Sequence, residues 1–377
     1  MKTIPLIKPD LPTLSEVAGT FSEILANGRI TNFSKYVTEF EKESGEYFGA
    51  NAVSVSSGTM GLIFAIQALG LEKGQKVIVP SFTFMATAQA VLYAGGVPVF
   101  AEVEDDLTLS VSDLEKLLQE HSDIAVVLPV HMYGLPCRVS EIERVVDKFN
   151  REQSQSIAVL YDAAHAFGSA LNGKRVGGFG NAEVFSLSVT KVLVSVEGGM
   201  ISSHNPDLIH RIRKMRNYGI EDNYDSHWPG LNGKMSEFHA IIGLHNLRRI
   251  DELLAERQRK ARYYLNAIRT RTGFQTIPWP EGVTHTFKDL TVLIAQEIAS
   301  RRDAVMAYLK DRGLETRAYF YPPVHEQQFF RRYADRALPH TEALARRVIT
   351  LPFYTTITEE EMDYVVDALY DAEQTLG

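Results

Sequence analysis

Cysteine is almost missing: Cys137 is the single one in 377 residues, which excludes an internal disulfide and fits a reducing cytoplasm. Positive charge is also short, with 39 Lys and Arg against 47 Asp and Glu, and a net charge of -8 offers no basic field for nucleic acid. Long apolar runs are absent, so no segment is expected to cross a bilayer. The opening residues Met1 to Pro9 carry neither a sustained apolar stretch nor a small-residue cleavage site, and no signal peptide is expected. The 11 histidines do not fall at the paired spacings that zinc uses, and His131, His239 and His245 read as structural or interface residues. Fixed-period repeats and low-complexity tracts are missing too.

What is present is a 45% hydrophobic chain, enough to bury a large core, at a length that favours a large domain plus a smaller one. From about residue 50 to residue 203, short β-branched runs alternate with longer helical patterns, as in a parallel sheet with crossover helices. The strands read as Ala52 to Val55, Lys76 to Val79, Pro98 to Val103, Ala125 to Val130, Ile157 to Tyr161, Glu183 to Leu187 and Met200 to Ser203. Helices are predicted over Gly58 to Ala68, Thr87 to Ala94, Val111 to Glu120 and Val139 to Arg151, where apolar residues recur every three or four positions. One long helical pattern then runs from Ser236 to about Ala267. Beyond it the spacing predicts strands at Lys288 to Leu293 and Glu315 to Phe320 and helices at Ser300 to Arg312, His340 to Arg347 and Glu359 to Glu373. The fold class is therefore α/β, with residues 1–250 as a large, mostly parallel-sheet domain and 251–377 as a small α+β domain.

Ligands of an open parallel sheet sit at the carboxyl ends of its strands. Three polar segments follow strands there: Ser56 to Thr59, Asp162 to His165 and Ser186 to Lys191. The first opens a helix, where unpaired amides and the helix dipole would hold a phosphate, although capping by Ser57 or Thr59 is the plainer reading of that segment alone. Asp162 closes an apolar run, so its carboxylate at the rim of a buried strand needs a cation. Lys191 lies among Val, Leu and Ser, and a desolvated lysine becomes a nucleophile toward carbonyls. Taken singly, each has an ordinary structural explanation. Together they supply an anion cradle, an acid and an amine, which are the three groups that pyridoxal 5'-phosphate (PLP) demands of its protein.

These residues carry a resemblance. Asp162-Ala163-Ala164-His165-Ala166-Phe167-Gly168, Phe185-Ser186, Thr190-Lys191 and Glu197-Gly198-Gly199 resemble, in identity and spacing, the DegT/DnrJ/EryC1/StrS sugar aminotransferases of PLP fold type I. Ser57-Gly58-Thr59, Pro80 to Thr87, Pro129 to Gly134, Gly230 to Glu237 and Leu351-Pro352-Phe353 extend the likeness over nearly the whole chain. The resemblance implies that Lys191 binds the coenzyme's aldehyde and serves as base, while Asp162 pairs with the pyridine nitrogen. It further implies that His165 approaches the ring's phenolic oxygen, Phe84 stacks on the ring and Ala164 packs on its other face. Ser57, Gly58, Thr59 and Ser186 would take the phosphate, which Asn232 would reach across a homodimer interface. Thr31, Asn32, Lys234, Arg317, Tyr319 and Tyr321 are the implied substrate contacts. L-glutamate is the implied donor, and the acceptor is most similar to a nucleotide-linked, dTDP-type 4-keto-6-deoxyhexose aminated at C4.

Departures concern the acceptor more than the chemistry. Leu187 and Ser188 stand where the family often has an aromatic residue and a His, Phe33 replaces a common Gly, and Val192 to Val196 is unusually apolar. Amination at C3, or of a cyclitol ketone, would use the same cofactor residues. A PLP-dependent sugar dehydratase lacks the lysine that Lys191 provides, and a regulatory DNA-binding protein would need a basic face that this chain lacks. Gly177-Gly178-Phe179-Gly180 precedes a strand and reads as a turn, not as a dinucleotide fingerprint. Arg216-Asn217-Tyr218-Gly219 reads as a helix end closed by glycine.

Overall fold

The computed structural model describes residues 3–376. It begins with α1 (Leu14–Asn27) and α2 (Lys35–Phe48), each stopped by a glycine, Gly28 or Gly49, in the left-handed conformation. An alternating stretch follows: β1 (Asn51–Val55), α3 (Gly58–Ala68), β2 (Lys76–Pro80), α4 (Met85–Tyr93), β3 (Val97–Ala101), α5 (Val111–Glu120), β4 (Ile124–Val127), α6 (Val139–Gln153) and β5 (Ala158–Asp162). A small ribbon, β6 (Ala170–Leu171) and β7 (Lys174–Arg175), leads to β8 (Ala182–Ser186), β9 (Gly199–Ser203) and α7 (Pro206–Met215). The rest is α8 (Glu237–Leu247), α9 (Ile250–Arg271), β10 (Gln275–Thr276), β11 (Val283–Thr284), β12 (Leu290–Leu293), α10 (Arg302–Asp311), α11 (Pro339–Ala345), β13 (Val348–Leu351) and α12 (Glu359–Leu376).

Seven strands form the main sheet in the order β1-β9-β8-β5-β4-β2-β3. The pairs among β2, β3, β4, β5 and β8 are parallel, and only β9 runs against its neighbours β8 and β1. Strands buried on both faces need continuous apolar runs, and Val53, Val77, Val79, Leu160 and Val184 meet helix side chains such as Leu62 and Ile66 in one core. The second sheet, β10-β12-β13, builds a separate core with α9, α10 and α12, around Tyr264, Val292, Leu309, Ile349 and Val366. Ile4 belongs to that second core, although it stands near the start of the chain.

Three expectations change. The helical pattern over Ser236 to Ala267 is two helices, because Arg249 leaves helical geometry (φ -112°, ψ 2°). At that break Arg248 binds Glu39 and Glu43 on α2, while α9 turns away to enter the second core. Glu315 to Phe320 is not a strand; only Arg317 bridges to Thr350, and the chain then turns so that the Tyr321 amide donates to the Ala318 carbonyl at 2.7 Å. The second-sheet partner of β12 is instead β13, a strand that starts one residue after the expected helix His340 to Arg347 and was not among the expected strands.

Candidate active site

The turn between β1 and α3 puts Ser57 in extended geometry, and its Oγ accepts the Met60 amide at 3.1 Å. Ser57 is thus a helix cap, as the plainer reading held. Capping uses one of the orphan amides of the first turn, and those of Gly58 and Thr59 keep no acceptor among the described residues. Position 58 admits only glycine at this spacing: a Cβ would stand 2.9 Å from the Cβ of Ser186 at the end of β8. A Cβ at Gly199 would meet the Ser57 carbonyl oxygen at 2.6 Å. The sheet therefore brings a row of small residues, bare amides and hydroxyls to one edge.

Asp162 ends β5 with its backbone fixed on both sides, its amide donating to Pro129 O at 2.8 Å and its carbonyl accepting from the His131 amide at 3.0 Å. Its carboxylate is 5% exposed and accepts from Thr87 Oγ1 at 2.7 Å and from the Ala164 amide at 3.0 Å. Thr83 supports Thr87 through a 2.9 Å contact between hydroxyls. Burial raises the Asp162 pKa, against the pull of these two bonds and of the Lys191 charge. No ion pair reaches it among the described residues, so a buried carboxylate stands short of a cation.

Lys191 follows β8 in a loop closed by its own amide on Ser188 O at 2.9 Å. Burial first, and then the charge of Lys288, bring its ammonium down to about 7. His165 is equally enclosed: burial, then Lys191 and Lys288, hold its pKa well below the usual value, so the ring stays neutral. Its Nδ1 accepts the Tyr133 amide at 3.2 Å, which leaves the proton on Nε2 as a donor.

These groups share a cavity of about 380 Å³. Of the residues expected from sequence, Ser57, Gly58, Thr59, Phe84, Asp162, Ala164, His165, Ser186, Lys191 and Tyr319 line it. Phe320, within the expected stretch from Tyr319 to Tyr321, lines it as well, and so do Thr87, Glu197 and Lys288, which were not anticipated. A second Thr four residues after Thr83, in the stretch opening α4, was the available sign for Thr87; Lys288 had none beyond its acidic neighbour Asp289.

Six expected residues lie outside the cavity walls. Thr31 and Asn32 occupy the exposed loop between α1 and α2, and Asn232 pairs its backbone with Asn217. Lys234 donates to Asn217 Oδ1 at 3.2 Å and lies over the Tyr218 ring. Arg317 donates to Thr316 O at 2.9 Å, and the Tyr321 ring is covered by the Arg302 guanidinium 4.1 Å from its centre. Arg216 is fully buried, bound to Glu41 and to Ser54 Oγ, and takes no part in the cavity.

An amine that is half neutral near pH 7 attacks aldehydes; a buried carboxylate lacking a cation answers a protonated ring nitrogen; free amides at a helix start answer a phosphate. One coenzyme meets all three requirements of hydrogen bonding and charge, and the fold with this cavity defines a PLP-dependent enzyme of fold type I. Residues 14–370 match the DegT/DnrJ/EryC1/StrS aminotransferase family, and the chain belongs to that family. It is 31% identical, over 95% of its length and 96% of the relative's, to the dTDP-4-amino-4,6-dideoxy-D-glucose transaminase of Escherichia coli. It is 32% identical, over 83% of its length and 82% of the relative's, to a UDP-N-acetyl-3-dehydro-alpha-D-glucosamine 3-aminotransferase of Acidithiobacillus ferrooxidans. Among solved structures it superposes on DesI, determined in the presence of its TDP-sugar product, with a TM-score of 0.90, 31% identity and coverage of 100% of this chain and 95% of that one.

Proposed function

We propose that this aminotransferase moves the amino group of L-glutamate to C4 of a dTDP-linked 4-keto-6-deoxyhexose, as a cytoplasmic homodimer with shared sites. The observation that carries the chemistry is the common cavity of Lys191 and Asp162, the one an amine near neutrality at pH 7 and the other a carboxylate awaiting a cation. Similarity to the Escherichia coli transaminase and to DesI supports the dTDP sugar. A second acceptor, a sugar ketone at C3, draws support from the likeness to the Acidithiobacillus enzyme.

Bound PLP supplies an aldehyde that takes up amino groups and a ring that draws electron density from the reacting carbon. Lys191 holds the coenzyme at rest; displaced by the donor's amine, its own amine removes the donor's Cα proton and returns one when the sugar is aminated. Near pH 7 a lysine with an ordinary pKa of 10.5 would be almost wholly protonated, whereas this one is a working base. Asp162 keeps the ring nitrogen protonated, with Thr87 and the Ala164 amide fixing the carboxylate's orientation. His165, its Nδ1 occupied by the Tyr133 amide, would donate a hydrogen bond from Nε2 to the ring's phenolic oxygen. The amides of Gly58 and Thr59, with the hydroxyls of Ser57 and Ser186, would receive the phosphate, and Asn232 would reach it from the second subunit. Phe84 and Ala164, both on the cavity wall, would pack on the ring. Thr31, Asn32, Lys234, Arg317, Tyr319 and Tyr321 receive the sugar nucleotide, between units spanning 1–250 and 251–377.

The test is a panel of keto compounds offered to enzyme loaded with pyridoxamine phosphate. The dTDP-4-keto-6-deoxyhexose is expected to restore the absorbance of the lysine-bound coenzyme and to yield a 4-amino sugar by NMR. Response to 3-keto sugars alone, or to a cyclitol ketone while all nucleotide sugars stay silent, defeats this assignment.

A further inference from the structure

We infer that Lys288 is the cation that receives a carboxylate of the amino donor, an inference that rests on the aminotransferase activity above. The charged side chains on the cavity wall are few: Lys191 and Lys288 as cations, Asp162 and Glu197 as anions, with His165 held neutral by burial. Lys191 is committed to the coenzyme, and the phosphate is met by amides and hydroxyls. An amino-acid donor nevertheless has to bring at least one carboxylate into this enclosure, and an anion leaving water requires a cationic partner. On this chain, among the described residues of the wall, Lys288 alone remains for that task.

Its surroundings suit the role. Lys288 is 6% exposed, and its amide is tied to Tyr133 O at 2.8 Å. Its Nζ donates to both oxygens of Asp289, at 2.7 and 2.9 Å. Asp289 is no part of the active cavity; it lines a smaller one with Tyr133 and Trp279, and so grips the ammonium from behind. An ammonium has three protons, and two such bonds leave one for a ligand. The Tyr319 ring, 5.7 Å from Nζ, completes the pocket around it.

The donor suits this position better than the diphosphate of the sugar nucleotide. A carboxylate borne on the donor's Cα stands one bond from the carbon whose proton Lys191 removes, in the cavity Lys191 and Lys288 share. The diphosphate is separated from the reacting ketone by the sugar ring.

The test separates the half-reactions in the holoenzyme. Lys288→Met alone would strand the buried Asp289, so the double variant K288M/D289N, which removes both charges, and the conservative K288R are measured beside it. In K288M/D289N the L-glutamate concentration that half-saturates conversion of the coenzyme is expected to rise at least tenfold. The resting absorbance of the coenzyme and the acceptor KM of pyridoxamine-phosphate-loaded enzyme should stay unchanged, with K288R recovering part of the donor affinity. A donor shift smaller than tenfold overturns the inference, and so does a rise in acceptor KM in its place, which would hand the cation to the diphosphate. Failure of the wild-type enzyme to convert its coenzyme with any amino acid would instead strike at the aminotransferase activity itself.

Discussion

Asp162 and Lys191 are matched in opposite senses, and the match has consequences for stability. Burial raises the proton affinity of Asp162, so as pH rises through the window above its ordinary value of 3.8 the native state holds a proton that the unfolded chain has lost. Stability of coenzyme-free protein therefore falls with rising pH in that window. For Lys191 the native state lets go at about 7 while the unfolded chain keeps its proton up to 10.5, so this group adds stability with rising pH between those values. Asp162→Asn removes the uncompensated charge while an amide can still accept from Ala164 and donate to Thr87. At pH 7 the coenzyme-free variant is expected to gain about 1 kcal/mol, roughly 2 °C in Tm. That gain should shrink on acidification, as wild-type Asp162 takes up its proton. With coenzyme present the order should reverse, since the ring nitrogen loses its counter-ion. Calorimetry of both forms checks this, and a lower melting point for the coenzyme-free variant at pH 7 would contradict it.

At the level of elements, the site depends on how closely α3 approaches β8. Gly58→Ala inserts a methyl 2.9 Å from the Cβ of Ser186, between two rigid elements, and should cost about 1–3 kcal/mol and weaken coenzyme binding. Gly19→Ala on α1 has open space around its Cβ and should be neutral or gain up to about 1 kcal/mol. Equal effects at both positions, by melting and coenzyme titration, would show that the approach of α3 to β8 does not matter. Much of this arrangement was legible in the residues: an apolar run followed by Ser, Asp or Ser-x-Ser marks where each of β1, β5 and β8 ends. The bounds of α3 and α5 also read correctly, because Ser57 and Ser110 are caps that bond into the first turn. Tertiary packing hid the rest. The break at Arg249 follows from what α8 and α9 each pack against, and the strand-like run at Glu315 to Phe320 spends its polar backbone on a turn and on Tyr133, whose hydroxyl binds the Tyr319 carbonyl. Lys288 came to the cavity only through the way β12 is set beside Tyr133, which no local pattern encodes.

At the scale of the whole molecule, distant parts of the chain enclose the coenzyme site: the sheet edge provides Lys191 and Asp162, and the later part of the chain provides Lys288, Tyr319 and Phe320. On the cavity wall Phe84 is 50% exposed, and Met85, Tyr218, Tyr224 and Leu231 are further large apolar side chains in contact with solvent. Asn232 follows the exposed Leu231 without lining its own chain's cavity, as a residue serving the opposite subunit of a two-fold dimer would. Subunit mixing tests that arrangement. Lys191→Ala alone is expected to be inactive, and Asn232→Ala to bind coenzyme weakly. A hybrid dimer of the two variants carries one site with both defects and one with neither, because the intact Lys191 and the intact Asn232 come from different subunits. Random exchange of equal amounts makes about half the dimers hybrid, so about a quarter of all sites should regain wild-type turnover. If each site draws both residues from one chain, mixing returns only the diluted activity of Asn232→Ala, and the shared site is refuted.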